Sequence, residues 1–147
     1  MMKYSKFFIM MIISFIIMYL VMFLNLSDIS HYQSSLSRIY MSLLMVTPMA
    51  VVMMLMMGKM YPDKKKNMMI ISGSVILFSL VLIALRTQTP VKDVQYMKAM
   101  IPHHSSAIMT SRNAELKDPE VKKLASEIIA AQEKEIAEMK RLIDKLK

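Results

Sequence analysis

Three long apolar runs fill most of residues 1–86. They are FFIMMIISFIIMYLVMFLNL from Phe7 to Leu26, IYMSLLMVTPMAVVMMLMM from Ile39 to Met57, and MMIISGSVILFSLVLIAL from Met68 to Leu85. None contains a charged residue, and each is close to the roughly 20 residues that an α-helix needs to cross a hydrocarbon core. Backbone groups in lipid must be satisfied internally, which a helix does within each run. The sequence therefore predicts three transmembrane helices, at 7–26, 39–57 and 68–85. A cleaved signal peptide would carry a shorter apolar core followed by a small-residue cleavage site. The first run has neither and is expected to be retained as a membrane helix.

The second and third runs carry features of their own. Pro48 lies inside the second, where membrane helices tolerate proline and use it as a kink. Ser72-Gly73-Ser74 in the third are small residues that allow close helix contact. Met41, Met45, Met49, Met53 and Met57 recur every four residues. Such a row drifts by about 40° per step around a helix, so it winds as a spiral and forms no straight ligand stripe. Packing in lipid is its simplest role, because methionine is an adaptable apolar filler.

Charge orients the spans. Lys3 and Lys6 precede the first, and Lys59, Lys64, Lys65 and Lys66 lie between the second and third. The loop between the first two spans has only Arg38, with Asp28 and His31, and Arg86 follows the third. Basic residues collect on the cytoplasmic side. The N-terminus is thus expected in the cytoplasm and the C-terminal part outside, which in a bacterium means the periplasm or the outer face of the plasma membrane.

Residues 87–147 form the second expected domain. They carry eleven Lys/Arg against nine acids, so little of the chain's net charge of +8 sits there. No basic stripe with interleaved aromatics appears, and no nucleic-acid partner is expected. A first helix is predicted from about Pro90 to Leu116, with apolar positions Val94, Met97, Met100, Ile101, Ala107 and Ile108. Pro102 lies inside this pattern and predicts a kink, or a break at which a new helix opens. The second helix is predicted to start with Asp118 as N-cap and Pro119 at its first position, and to place lysines from Lys140 to Lys147 at its C-terminal end. The fold class expected is all-α: three membrane helices followed by an extramembrane helical hairpin. One hairpin buries little surface. Two of them related by a two-fold axis make a four-helix bundle, so a homodimer or higher oligomer is expected.

Both tail helices place polar residues where leucine would pack better. His104 falls in the middle of the apolar face of the first, with His103 at its flank; Gln132 and Glu135 fall on or near that of the second. A buried polar group costs free energy until it finds a partner. One solution pairs His104 with Glu135 or Gln132 and leaves His103 in water. The other is a metal held by His103, His104, Met97, Met100 and Met139, with Met109 a further candidate and Gln132 or Glu135 orienting an imidazole. The chain has no cysteine, so thiolate ligands and disulfides are excluded. Thioether with imidazole suits Cu(I) and, by softness, Ag(I); a direct carboxylate ligand would admit other transition metals.

Met100-Ile-Pro-His-His-Ser-Ser-Ala-Ile-Met109, then a DPEV helix start and LASEIIAAQEKEIAEM from Leu124 to Met139, resembles the bacterial domain-of-unknown-function family 305. Met100, His103, His104, Ala107, Ile108, Gln132, Glu135, Ile136 and Met139 match its pattern, while Met109 stands one place before the usual methionine, where this chain has Thr110. The resemblance covers roughly Asp93 to Lys147. It implies a ferritin-like helical bundle in the cell envelope, copper or silver binding, and copper tolerance. Many members carry the hairpin twice; this chain carries it once.

The function expected is that of a membrane-anchored envelope protein that captures Cu(I) or Ag(I), for tolerance or for delivery to an unidentified metal-transfer partner. The alternative is a structural or sensory membrane module whose tail dimerises or binds a partner protein. An enzyme is not expected. No Ser-His-Asp, paired-acid or Gly-rich phosphate pattern occurs, and the tail has no third histidine to complete an open catalytic zinc site.

Overall fold

The apolar runs become helices with little interruption. A computed structural model of the chain describes residues 4–146; Lys3 and Lys147, used above for orientation and for the helix end, lie outside the described residues. The three apolar runs form α1, Tyr4–Val21, α2, Leu36–Met57, and α3, Lys64–Thr87. All three are long and apolar enough to cross a membrane. Two further helices follow, α4, Asp93–Asn113, and α5, Pro119–Lys145. No strand occurs among the described residues, so the all-α class holds.

The chain divides into two compact units. The first contains α1 and Ser37–Pro90; the second joins Met22–Leu36 to the chain from Val91 onward. The loop between α1 and α2 thus belongs with α4 and α5 in the second compact unit.

In the first unit, Phe7 and Met11 of α1 pack with Val46, Ala50 and Met54 of α2 and with Tyr61. The methionine row behaves as its drift requires. Met54 is buried and Met53 and Met57 pack partly against this core, while Met41, Met45 and Met49 face outward. Pro48 sits inside an unbroken α2. Asp63 caps α3 by accepting from the Lys66 N–H at 3.1 Å. Of α3 only Val81 is buried, as expected of a helix solvated by lipid.

The second unit is a hairpin of α4 and α5 with a strap of residues 22–36. α1 ends at Val21, short of the Leu26 expected from hydropathy, because the following residues bond to α4 instead. The hairpin seam is built from residues spaced by three and four. Met97, Ile101 and Ile108 of α4 meet Ile136 and Ile143 of α5, with Val94, Ile129, Met139 and Leu142 packed alongside. The short 114–118 connection makes the helices antiparallel neighbours.

The α5 start is as predicted. The Asp118 carboxylate accepts from the N–H groups of Glu120 at 2.8 Å and Val121 at 3.0 Å, with Pro119 in the first turn. The break expected at Pro102 does not occur. α4 runs through it, and Ile101 and Pro102 are both buried. A proline inside a helix removes one backbone hydrogen bond, and here tertiary packing on both sides of the seam outweighs that loss.

Candidate functional site

On α4, His104 stands between the core residues Ile101 and Ile108, next to the fully buried Ser105. Its Nδ1 lies 3.0 Å from Glu135 Oε2 of α5, the His104 side chain being 14% exposed and that of Glu135 54%. The distance is short but the alignment is poor: Nδ1 is buried and has no well-directed hydrogen bond. Burial, the largest cause, holds the His104 pKa below its ordinary value; His103 acts in the same direction and Glu135 opposes both. The ring therefore favours its neutral form, the form in which imidazole binds metals.

The other predicted residues separate into two groups. Met97 is buried in the seam and Met139 packs against it, so both thioethers belong to the apolar core of the hairpin. Met100, Met109 and Gln132 are half-buried. His103 is exposed; its ring lies 6.2 Å from that of His104, inclined at 62°, and only His104 is brought against α5. The uninterrupted helix gives no reset of phase that would turn Met109 toward His104. Among the described residues no group of three or more His, Asp or Glu gathers as a metal cluster.

The serines of His103-His104-Ser105-Ser106 do something that the spacing did not indicate. Ser105 is fully buried, and its hydroxyl accepts from the Ser27 N–H at 2.9 Å. It also meets Ser27 Oγ at 3.0 Å and His31 Nδ1 at 2.9 Å. One donor and two acceptor positions are thereby all used, in either of the two proton arrangements open to the trio. Ser106 Oγ accepts from Asn25 Nδ2 at 2.7 Å, Gln95 Oε1 accepts from the Leu36 N–H at 3.1 Å, and Lys140 Nζ donates to Ser30 Oγ at 3.2 Å. The strap is held at both ends along α4 and once to α5. Its sole histidine, His31, is depressed in pKa, chiefly by burial and then by Lys140, against Asp28 and Glu133. Histidine and serine in a loop are not a periodic signal. The one hint was that the loop's polar residues included a histidine.

The sequence profile of the family described as a domain of unknown function, DUF305, matches residues 45–143. That span contains the whole of the seam, His104 and Glu135. The chain belongs to the DUF305 family. The DUF305 match reaches well beyond the Asp93–Lys147 stretch that carried the resemblance, taking in part of α2 and all of α3. An uncharacterized protein of Acanthamoeba polyphaga mimivirus is 38% identical over 149 residues, covering 99% of this chain and 96% of that protein. The similarity runs through the stretch of α1 to α3 as well as that of α4 and α5. That relative is viral and lends no support to the bacterial source implied by the resemblance. No solved structure matches the chain.

Proposed function

We propose that the chain is a membrane-anchored metal-capture protein, taking Cu(I) or Ag(I) at the hairpin seam on the outer side of the membrane that holds α1 to α3. The observation that carries this reading is His104 Nδ1: a buried imidazole nitrogen, biased to the neutral form and without a well-directed partner, on a hairpin whose apolar core includes Met97 with Met139 packed against it. His104 would bind the ion, with Met97 and Met139 as thioether donors, Met100 and His103 at the flank, and Glu135 orienting the His104 ring. Outward orientation is supported by the lysines between α2 and α3 and by the scarcity of basic residues in the 22–36 strap.

Cu(I) titration of the full-length chain in detergent, under reducing conditions and against a competing chromophoric chelator, tests this. His104→Ala is expected to lower the affinity at least tenfold. An affinity unchanged in the His103→Ala, His104→Ala double variant would falsify the metal reading.

A sensory role is the second reading, and the strap favours it. Residues 22–36 continue directly into α1 and α2 and are pinned to Ser105, the neighbour of His104. A change at His104 therefore has a short covalent and hydrogen-bonded route to two membrane helices.

A further inference from the structure

The strap, residues 22–36, has two sides of opposite character. Its polar groups turn to the hairpin. Asn25 bonds to Ser106, the Ser27 N–H and His31 to Ser105, the Leu36 N–H to Gln95, and Ser30 to Lys140. Apolar side chains between them stay out of the hairpin core. Leu24 is 81% exposed, and Ile29, the first residue of a 3₁₀ turn over Ile29–His31, is 84% exposed. Phe23 and Tyr32 pack ring to ring at 4.3 Å, and Tyr32 is 45% exposed. Their place in the chain argues for what covers them. The strap leaves α1 at Val21 and enters α2 at Leu36, both helices being long and apolar enough to cross a membrane. An aromatic pair at such a place matches the belt of aromatic side chains at membrane surfaces. Irregular backbone at that depth needs protein partners for its polar groups, and α4 and α5 supply them. Attraction to charged headgroups is not what would hold the strap there. No lysine or arginine occurs from Met22 to Leu36, and the one acid, Asp28, accepts from the Ser30 N–H at 2.7 Å.

We propose that the strap lies in the plane of the bilayer, with Leu24, Ile29 and the Phe23–Tyr32 pair in lipid and its polar side on α4 and α5. The occupant of its apolar side is the headgroup–acyl boundary, entered to a depth of about 5–10 Å as interfacial segments do. The bilayer then holds the strap from one side and the hairpin holds it from the other. This rests on the reading of α1 and α2 as membrane-spanning, and it is independent of the metal reading.

The chain has no tryptophan, so Leu24→Trp, Ile29→Trp and, on the exposed side of α1, Ile13→Trp each give the full-length protein a single emitter. The variants are reconstituted in phosphatidylcholine vesicles brominated either near the headgroup end of the acyl chain or near its terminus. Ile13→Trp is expected to lose more emission to the deep bromines, and Leu24→Trp and Ile29→Trp to the shallow ones. Replacing half of the lipid by phosphatidylglycerol is expected to leave the strap quenching unchanged, because the strap has no basic residue. Deep quenching at Ile13 with none at either strap position overturns the proposal and leaves the membrane reading standing. Strap emission that is blue-shifted yet unquenched makes a protein the occupant and overturns it too. No quenching at Ile13 overturns the membrane reading and the proposal with it. Where tryptophan disturbs the strap, nitroxides on Leu24→Cys and Ile29→Cys read the same point, with no native cysteine to compete. Their collisions with dissolved oxygen are expected to exceed those with a water-soluble nickel chelate, and the reverse order overturns the proposal.

Discussion

His31 Nδ1 lies 2.9 Å from the hydroxyl of Ser105, 74 residues away in the chain and next to His104. The contact ties the loop between two membrane helices to the helix that carries the candidate ligand. Ser105→Ala deletes the hydroxyl and takes a partner from the half-buried Ser27 N–H and His31 Nδ1. Stranding buried polar groups costs roughly 1–3 kcal/mol. The variant is expected to unfold at lower denaturant concentration, and its 22–36 amides to exchange hydrogen faster than those of the α4–α5 seam. Equal acceleration in both regions would mean that the strap is no separate structural element.

The depressed pKa of His31 gives a pH dependence with a definite sign. Burial and Lys140 hold the folded ring below 6.5, the value it regains on unfolding. As pH falls, the unfolded chain takes up the proton first, and stability falls wherever the unfolded state binds more protons. The contribution is complete above the unfolded value, is lost as pH drops through it, and levels off once the folded ring is itself protonated. Denaturation midpoints measured between about pH 7.5 and 5.5 should decline for the wild type. They should decline less for His31→Gln, which keeps a polar side chain but has no titration in that range.

The local parts of this fold were legible because their signals are local. Hydropathy marks α2 and α3 closely, and Asp118-Pro119 marks the start of α5, since a membrane run and an N-cap each depend on neighbouring residues. The His104–Glu135 pairing was legible as well: both fall on apolar helical faces that must meet. The strap was not. Asn25, Ser27 and His31 find partners at Ser105 and Ser106 through chain closure, and no period or spacing encodes that. Of the two outcomes open at Pro102, a kink or a break, the break does not occur, because Ile101 and Pro102 are buried together in one helix.

The cap of α5 can be tested separately from the site. Asp118 holds two N–H groups that otherwise have no intrahelical partner. Asp118→Ala is expected to cost about 1 kcal/mol and Asp118→Asn much less, since asparagine caps nearly as well. Chemical denaturation followed by helix signal checks the order. Equal losses for the two variants would show that the carboxylate's charge, and not its hydrogen bonding, matters at this end.

Two methionines separate a seam site from a loose methionine-rich surface. Met139 packs against the apolar core of the hairpin, whereas Met109 lies on the same unbroken helix as His104 and outside that core. Leucine replaces methionine with little change of volume, so either substitution removes a thioether at a cost below about 1.5 kcal/mol in packing. Met139→Leu is therefore expected to weaken Cu(I) binding several-fold or more while leaving the unfolding midpoint nearly in place, and Met109→Leu to leave both unchanged. The same chelator competition reads the affinity, with a thermal melt as the control. Equal weakening by the two variants would place the ion at a diffuse thioether surface, and weakening by Met109→Leu alone would place it on one face of α4, away from α5 and from Glu135.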